Sequence, residues 1–226
     1  MNDENLEPLW LELPPISVDA PPRLMVFLHD AGSSAETFAP VAIAWQLKFP
    51  GATAALLQGP RRWAGGNDWY DATDRDAHGP RQLEAAAERA AASIETLALQ
   101  SGLDGARTVL VGVGQGASLA LELARRRNEL ASIVVAYAGR LARPLREGDR
   151  VAATVHLITG EFDSVVPTVH AMQAMRGLRA VGAEVTLDIV EDESHSIGQG
   201  MVNLGTTRVM QTVFRGRRPR HLPPLH

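Results

Sequence analysis

Three short segments of this chain hold residue types that do chemistry together. The first is Val111-Gly112-Val113-Gly114-Gln115-Gly116, where an apolar run passes through closely spaced glycines into helix-forming sequence. Small residues on both sides of such a turn let the backbone reverse sharply, and a serine between them would lift its oxygen above a sheet to attack a carbonyl. Position 114 is glycine, so the frame for a nucleophile is present and the nucleophile is not. The second segment, Gly160-Glu161-Phe162-Asp163-Ser164-Val165-Val166-Pro167, offers Asp163 as an acid. The third, Glu193-Ser194-His195-Ser196-Ile197, offers His195 as a base. Nucleophile position, acid and histidine thus follow one another in the chain order that nucleophilic acyl transfer uses when each sits on a loop at the carboxyl end of a strand.

The intervening sequence can supply those strands. Apolar or β-branched runs at 24–29, 53–57, 108–113, 133–138, 155–159 and 185–190 predict short strands buried on both faces, and 10–13 predicts an edge strand. Segments 36–48, 81–100, 115–127, 169–180 and 197–214 have helical length and composition. Strands alternating with helices predict an α/β fold, a mostly parallel central sheet with helices on both faces. Residues 59–80 form a long Gly-, Asn- and Asp-rich loop that holds Trp63, Trp69 and Tyr70, and a loop of that length inside a compact domain is more often functional than idle.

A chain of 226 residues with 45% hydrophobic and 21% charged residues fits one globular domain, here residues 1–214, followed by a basic, Pro-rich tail at 215–226. A formal charge of -4 gives no reason to expect nucleic acid as a partner. No run approaches a membrane span, no cysteine is present for disulfides, and the acidic start Met1-Asn2-Asp3-Glu4 is unlike a secretory signal, so a cytoplasmic location is expected. Composition leaves a homodimer open. His156 and His170 read as ordinary strand and helix residues. His29 reads as a loop anchor, since no second ligand at a usual spacing supports a metal there. No cofactor is expected.

The three segments resemble the phospholipase/carboxylesterase family of α/β-hydrolases, which includes acyl-protein thioesterases and small bacterial carboxylesterases. Its members read G-F-S-Q-G, G-x-x-D-x-x-V-P and G-H-x-I where this chain reads GVGQG, GEFDSVVP and SHSI. The likeness runs from Ser101 to Ile197. It is looser earlier, where His29-Asp30-Ala31-Gly32 sits at the family's H-G-x-G and Trp69-Tyr70-Asp71 resembles its W-F-D. The resemblance implies an α/β-hydrolase fold without a large cap domain, a small-molecule ester or thioester as substrate, and hydrolysis through an acyl-enzyme. Gly114 takes the place of the nucleophilic serine, and Asp163 would orient His195 and steady its positive form. The backbone N–H groups of Ala31 and Gln115 would make the oxyanion hole, with Trp69 and Tyr70 walling the acyl site.

Two residues depart from that pattern. Glycine has no atom that can attack a carbonyl, and loss of a triad serine costs roughly 10⁶ in turnover. Asp30 stands where the family has glycine, directly before an oxyanion donor. At about 5 Å from a developing oxyanion its carboxylate would oppose the charge by roughly 3 kcal/mol at an effective dielectric of about 20; pointing to solvent or capping the next helix, it would do nothing. As written the chain is expected to be severely impaired or inactive as a serine hydrolase. Gly114 is then either a serine replacement introduced into an active esterase or a native loss, the latter leaving a pseudoenzyme that binds an acyl or ester ligand. Gly112 to Ala117 also matches the G-x-G-x-x-A of dinucleotide-binding turns, but the next strand lacks the acidic end that a ribose requires.

Overall fold

A computed structural model of the chain describes residues 10–72 and 78–215. In chain order it contains β1 (Trp10–Leu13), β2 (Arg23–Leu28), α1 (Ala35–Gln46), β3 (Ala52–Leu57), β4 (Arg61–Trp63), β5 (Gly66–Asp68), α2 (His78–Ser101), β6 (Thr108–Val113), α3 (Gln115–Arg126), β7 (Ile133–Tyr137), β8 (Thr154–Gly160), α4 (Thr168–Ala180), β9 (Val185–Val190) and α5 (Gln199–Arg215). Seven strands form one sheet in the order β1-β3-β2-β6-β7-β8-β9. Only the β1–β3 pair is antiparallel, with Trp10 opposite Leu57.

The apolar runs form strands because both faces of the sheet are covered. Along β2, Leu24, Val26 and Leu28 join a cluster with α2, α3 and α4, while Met25 and Phe27 join the opposite cluster with α1 and α5. That period of two is the pleat itself. Parallel neighbours β2, β6, β7, β8 and β9 therefore end at one edge, and every segment singled out above leaves the sheet there.

Three local differences from the sequence reading matter. Strand β2 stops at Leu28, so His29 begins the following loop. The expected loop over 59–80 contains the β4–β5 hairpin, and an isolated bridge from Ser33 to Asn67 fixes it beside the loop after β2. Helix α1 is capped by Ser34, whose side chain accepts from the Thr37 N–H in a capping box, so Asp30 is not its cap. Residues 216–226 of the expected basic tail lie outside the described residues. Among the described residues no helix is long and apolar enough to cross a membrane.

Candidate active site

The turn between β6 and α3 is built to hold glycine at three places. Gly114 has φ +52° and ψ -109°, a backbone conformation that L side chains rarely adopt. A Cβ on Gly116 would collide with the carbonyl oxygens of Leu28 and His29, and one on Gly112 with the backbone of Gly116 and Ala117. The outer glycines therefore let α3 sit close against β2 and β6. At Gly114 the obstacle differs in kind, because a Cβ there would meet the carboxylate of Asp30.

The side chains of Asp163 and His195 meet. His195 Nδ1 lies 2.9 Å from Asp163 Oδ2. The other carboxylate oxygen accepts from the N–H groups of Val165 (2.9 Å) and Val166 (2.7 Å), and the Asp163 side chain is 0% exposed. With both oxygens committed, Asp163 has one free direction and the ring sits in it.

Asp30 points inward. Its Oδ1 accepts from Ala31 N (2.7 Å) and Gln115 N (2.8 Å), the two backbone donors expected to form an oxyanion hole. Its Oδ2 lies 2.9 Å from His195 Nε2. Asp30 neither stands about 5 Å away nor points to solvent: its carboxylate lies directly on the two N–H groups expected to form the oxyanion hole. Nor are the changes at 30 and 114 independent, since a side chain at 114 would need the space that Asp30 fills.

Both ring nitrogens of His195 thus face carboxylate oxygens, and each contact calls for a proton on the ring. The bond to Asp30, and after it the one to Asp163, outweighs partial desolvation and raises the imidazole to about 9. Burial would raise the Asp30 carboxyl, but bonds from His195, Gln115 and Ala31 overcome it and hold Asp30 below the ordinary carboxylate range. Near neutral pH the centre is an imidazolium between two carboxylates.

The cradle is braced from behind. The Gln115 side chain accepts from Trp69 N at 2.7 Å and donates to Tyr70 O at 2.8 Å. Trp69 Nε1 donates to His29 O, and His29 Nε2 accepts from Gly59 N at 2.9 Å, which places the ring proton on Nδ1 toward the Asp30 carbonyl. Sequence reasoning missed this bracing, although a glutamine directly after the turn was its one visible signal. Trp69 is 3% exposed and Tyr70 is buried, and the main chain of each bonds to the Gln115 side chain. Trp63 is exposed instead. Tyr70 borders a cleft of about 820 Å³, lined also by Leu83, Glu122, Arg125, Arg140 and His170, which does not include Asp30, Gly114, Asp163 or His195.

The phospholipase/carboxylesterase family model matches residues 17–207. The chain belongs to the phospholipase/carboxylesterase family. A relative, the esterase YpfH of Escherichia coli strain K12, is 29% identical over 194 residues, covering 84% of this chain and 83% of the relative. The crystal structure of esterase PE8 superposes with a TM-score of 0.80 at 28% identity, covering 89% of this chain and 97% of that one. The Bacillus cereus carboxylesterase shares the fold, with a TM-score of 0.74 at 17% identity over 89% of this chain and 93% of its own. The carboxylesterase frame therefore extends well before Ser101, into the looser first hundred residues. Within it, this chain's imidazole meets a carboxylate from the oxyanion loop where the family's elbow would present a hydroxyl.

Proposed function

We propose that the chain is a carboxylesterase-family protein whose serine route to ester or thioester hydrolysis is closed at two coupled points. The observation that supports this most is the Asp30 carboxylate lying on both expected oxyanion donors and on His195 at once. A substrate carbonyl arriving there would find its hole filled, its base already protonated, and no hydroxyl at position 114. The fit between Asp30 and the empty space beside Gly114 favours a native loss over an introduced replacement, because a serine in that turn and this placement of Asp30 exclude each other. A dinucleotide gains no support, since the N-terminus of α3 already holds an anion.

The test is cleavage of p-nitrophenyl butyrate by four proteins: the native chain, Gly114→Ser, Asp30→Gly and the double variant. Native protein and both single variants are expected to stay near background. Gly114→Ser should also melt lower, because serine meets both the left-handed backbone and Asp30, the backbone alone costing about 1–3 kcal/mol. The double variant should gain roughly 10³-fold or more, a fraction of what a complete triad supplies. Burst hydrolysis by the native protein would overturn this reading.

A further inference from the structure

The position of Asp30 has a chemical meaning of its own. In an acyl-enzyme the ester oxygen faces the histidine while the carbonyl oxygen sits in the oxyanion hole. Here Oδ2 faces His195 Nε2 at 2.9 Å and Oδ1 accepts from Ala31 and Gln115, so the Asp30 carboxyl is arranged as an acyl group carried by the protein. An ester formed on Oδ2 would lie where this fold breaks esters. We propose that Asp30 is a carboxylate nucleophile toward saturated carbon, and that the site hydrolyses primary alkyl halides through an Asp30 alkyl ester.

The steps balance with water as the one co-reactant. Oδ2 attacks the carbon from the side opposite the halide, forming a C–O bond while the halide leaves with its electron pair. Esterification removes the negative charge beside His195, and the ring releases its Nε2 proton to solvent. The neutral imidazole then takes a proton from a water that attacks Cγ, and the oxyanion on Oδ1 is held by the two backbone N–H groups. Collapse breaks the Cγ–Oδ2 bond, and the ring's proton goes to the departing alcohol. The new Asp30 carboxylic acid passes its remaining proton to the now neutral imidazole, which restores carboxylate and imidazolium, with one proton and one halide ion released per turnover.

Three further observations fit. The Asp30 side chain is 27% exposed and that of His195 22%, so an electrophile and a water can both reach the pair. An exposed apolar side chain stands close by, the Trp63 ring lying against Gly32, two residues from Asp30. Finally, both ring protons of His195 are engaged by carboxylates, which suits a leaving group that departs as a stable anion over one that must be protonated, such as an epoxide oxygen.

The experiment uses the full chain with 1-bromobutane and reads bromide release, a signal separate from ester cleavage. Bromide release is expected from the native protein and its loss from Asp30→Ala. In a single turnover in ¹⁸O-water with protein in excess, one ¹⁸O should enter the Asp30 carboxylate, while the butanol formed keeps ordinary oxygen. His195→Gln should accumulate one butyl group, mapped to Asp30 by peptide mass. The labelling experiment on native protein decides the matter should that variant not fold. Bromide release no greater than in Asp30→Ala, an unlabelled Asp30, or a butyl group on His195 instead would each overturn the proposal.

Discussion

His195 at the carboxyl edge of the sheet and His156 inside β8 are the same residue in opposite electrostatic settings. His156 bonds to two neutral hydroxyls, Thr186 at 2.9 Å and Thr212 at 3.0 Å. Burial first, then the Arg208 guanidinium, pushes it down to about 4, against a smaller opposing pull from Asp188. His195 has two carboxylates for partners and is pushed up to about 9. The contrast teaches that histidine at a sheet edge becomes a charge carrier only when its neighbours are anions. Removing Asp30 converts this centre back toward a base.

Deleting a partner on each side separates the two settings most strongly. Asp163→Ala leaves the N–H groups of Val165 and Val166 and a ring nitrogen of His195 without their acceptor, and is expected to cost about 2–4 kcal/mol in urea unfolding. Thr186→Val, which removes one neutral hydroxyl from His156, is expected to cost about 1 kcal/mol. Equal losses would erase the distinction. A smaller effect appears in histidine titrations followed by NMR: His195 should titrate at about 9 and fall by at least about one unit in Asp30→Ala, while His156 remains neutral down to about 4 in both proteins.

The pH profile of stability has two limbs with different owners. His195 has a folded value above its ordinary 6.5, so its contribution is complete below pH 6.5 and is lost as pH rises through about 9. His156 has a folded value below 6.5, so its contribution is complete above pH 6.5 and is lost as pH falls toward about 4. Each limb is expected to span about 1–2 kcal/mol, with solvent screening at the partly exposed His195 trimming the alkaline one. Asp30→Ala should flatten the alkaline limb and His156→Gln the acid one. An alkaline limb unchanged by Asp30→Ala would mean that this carboxylate does not hold the ring.

Much of this was legible in the sequence, and the reasons are specific. The core strands could be read because burial on both faces demands continuous apolar runs such as LMVFLH and TVLVGV. The β4–β5 hairpin could not, since RRW and GND have neither the length nor the alternation that marks a strand. Gly114, Asp163 and His195 were found from motif order, and the structure brings all three to one place. The direction of Asp30 was beyond reach, because it depends on the space left by a glycine far along the chain, in the turn after a different strand. Both departures were visible as letters; their complementarity is a matter of three-dimensional space.

Gln115 joins the turn before α3 to the segment at Trp69 and Tyr70, and Trp69 in turn fastens to the His29 carbonyl in the loop that leads to Ala31. The spacing of the two N–H groups is thereby fixed by a closed mechanical loop, indifferent to whichever oxygen happens to rest between them. In this chain a change of the side chain that supplies that oxygen would leave the vise itself standing.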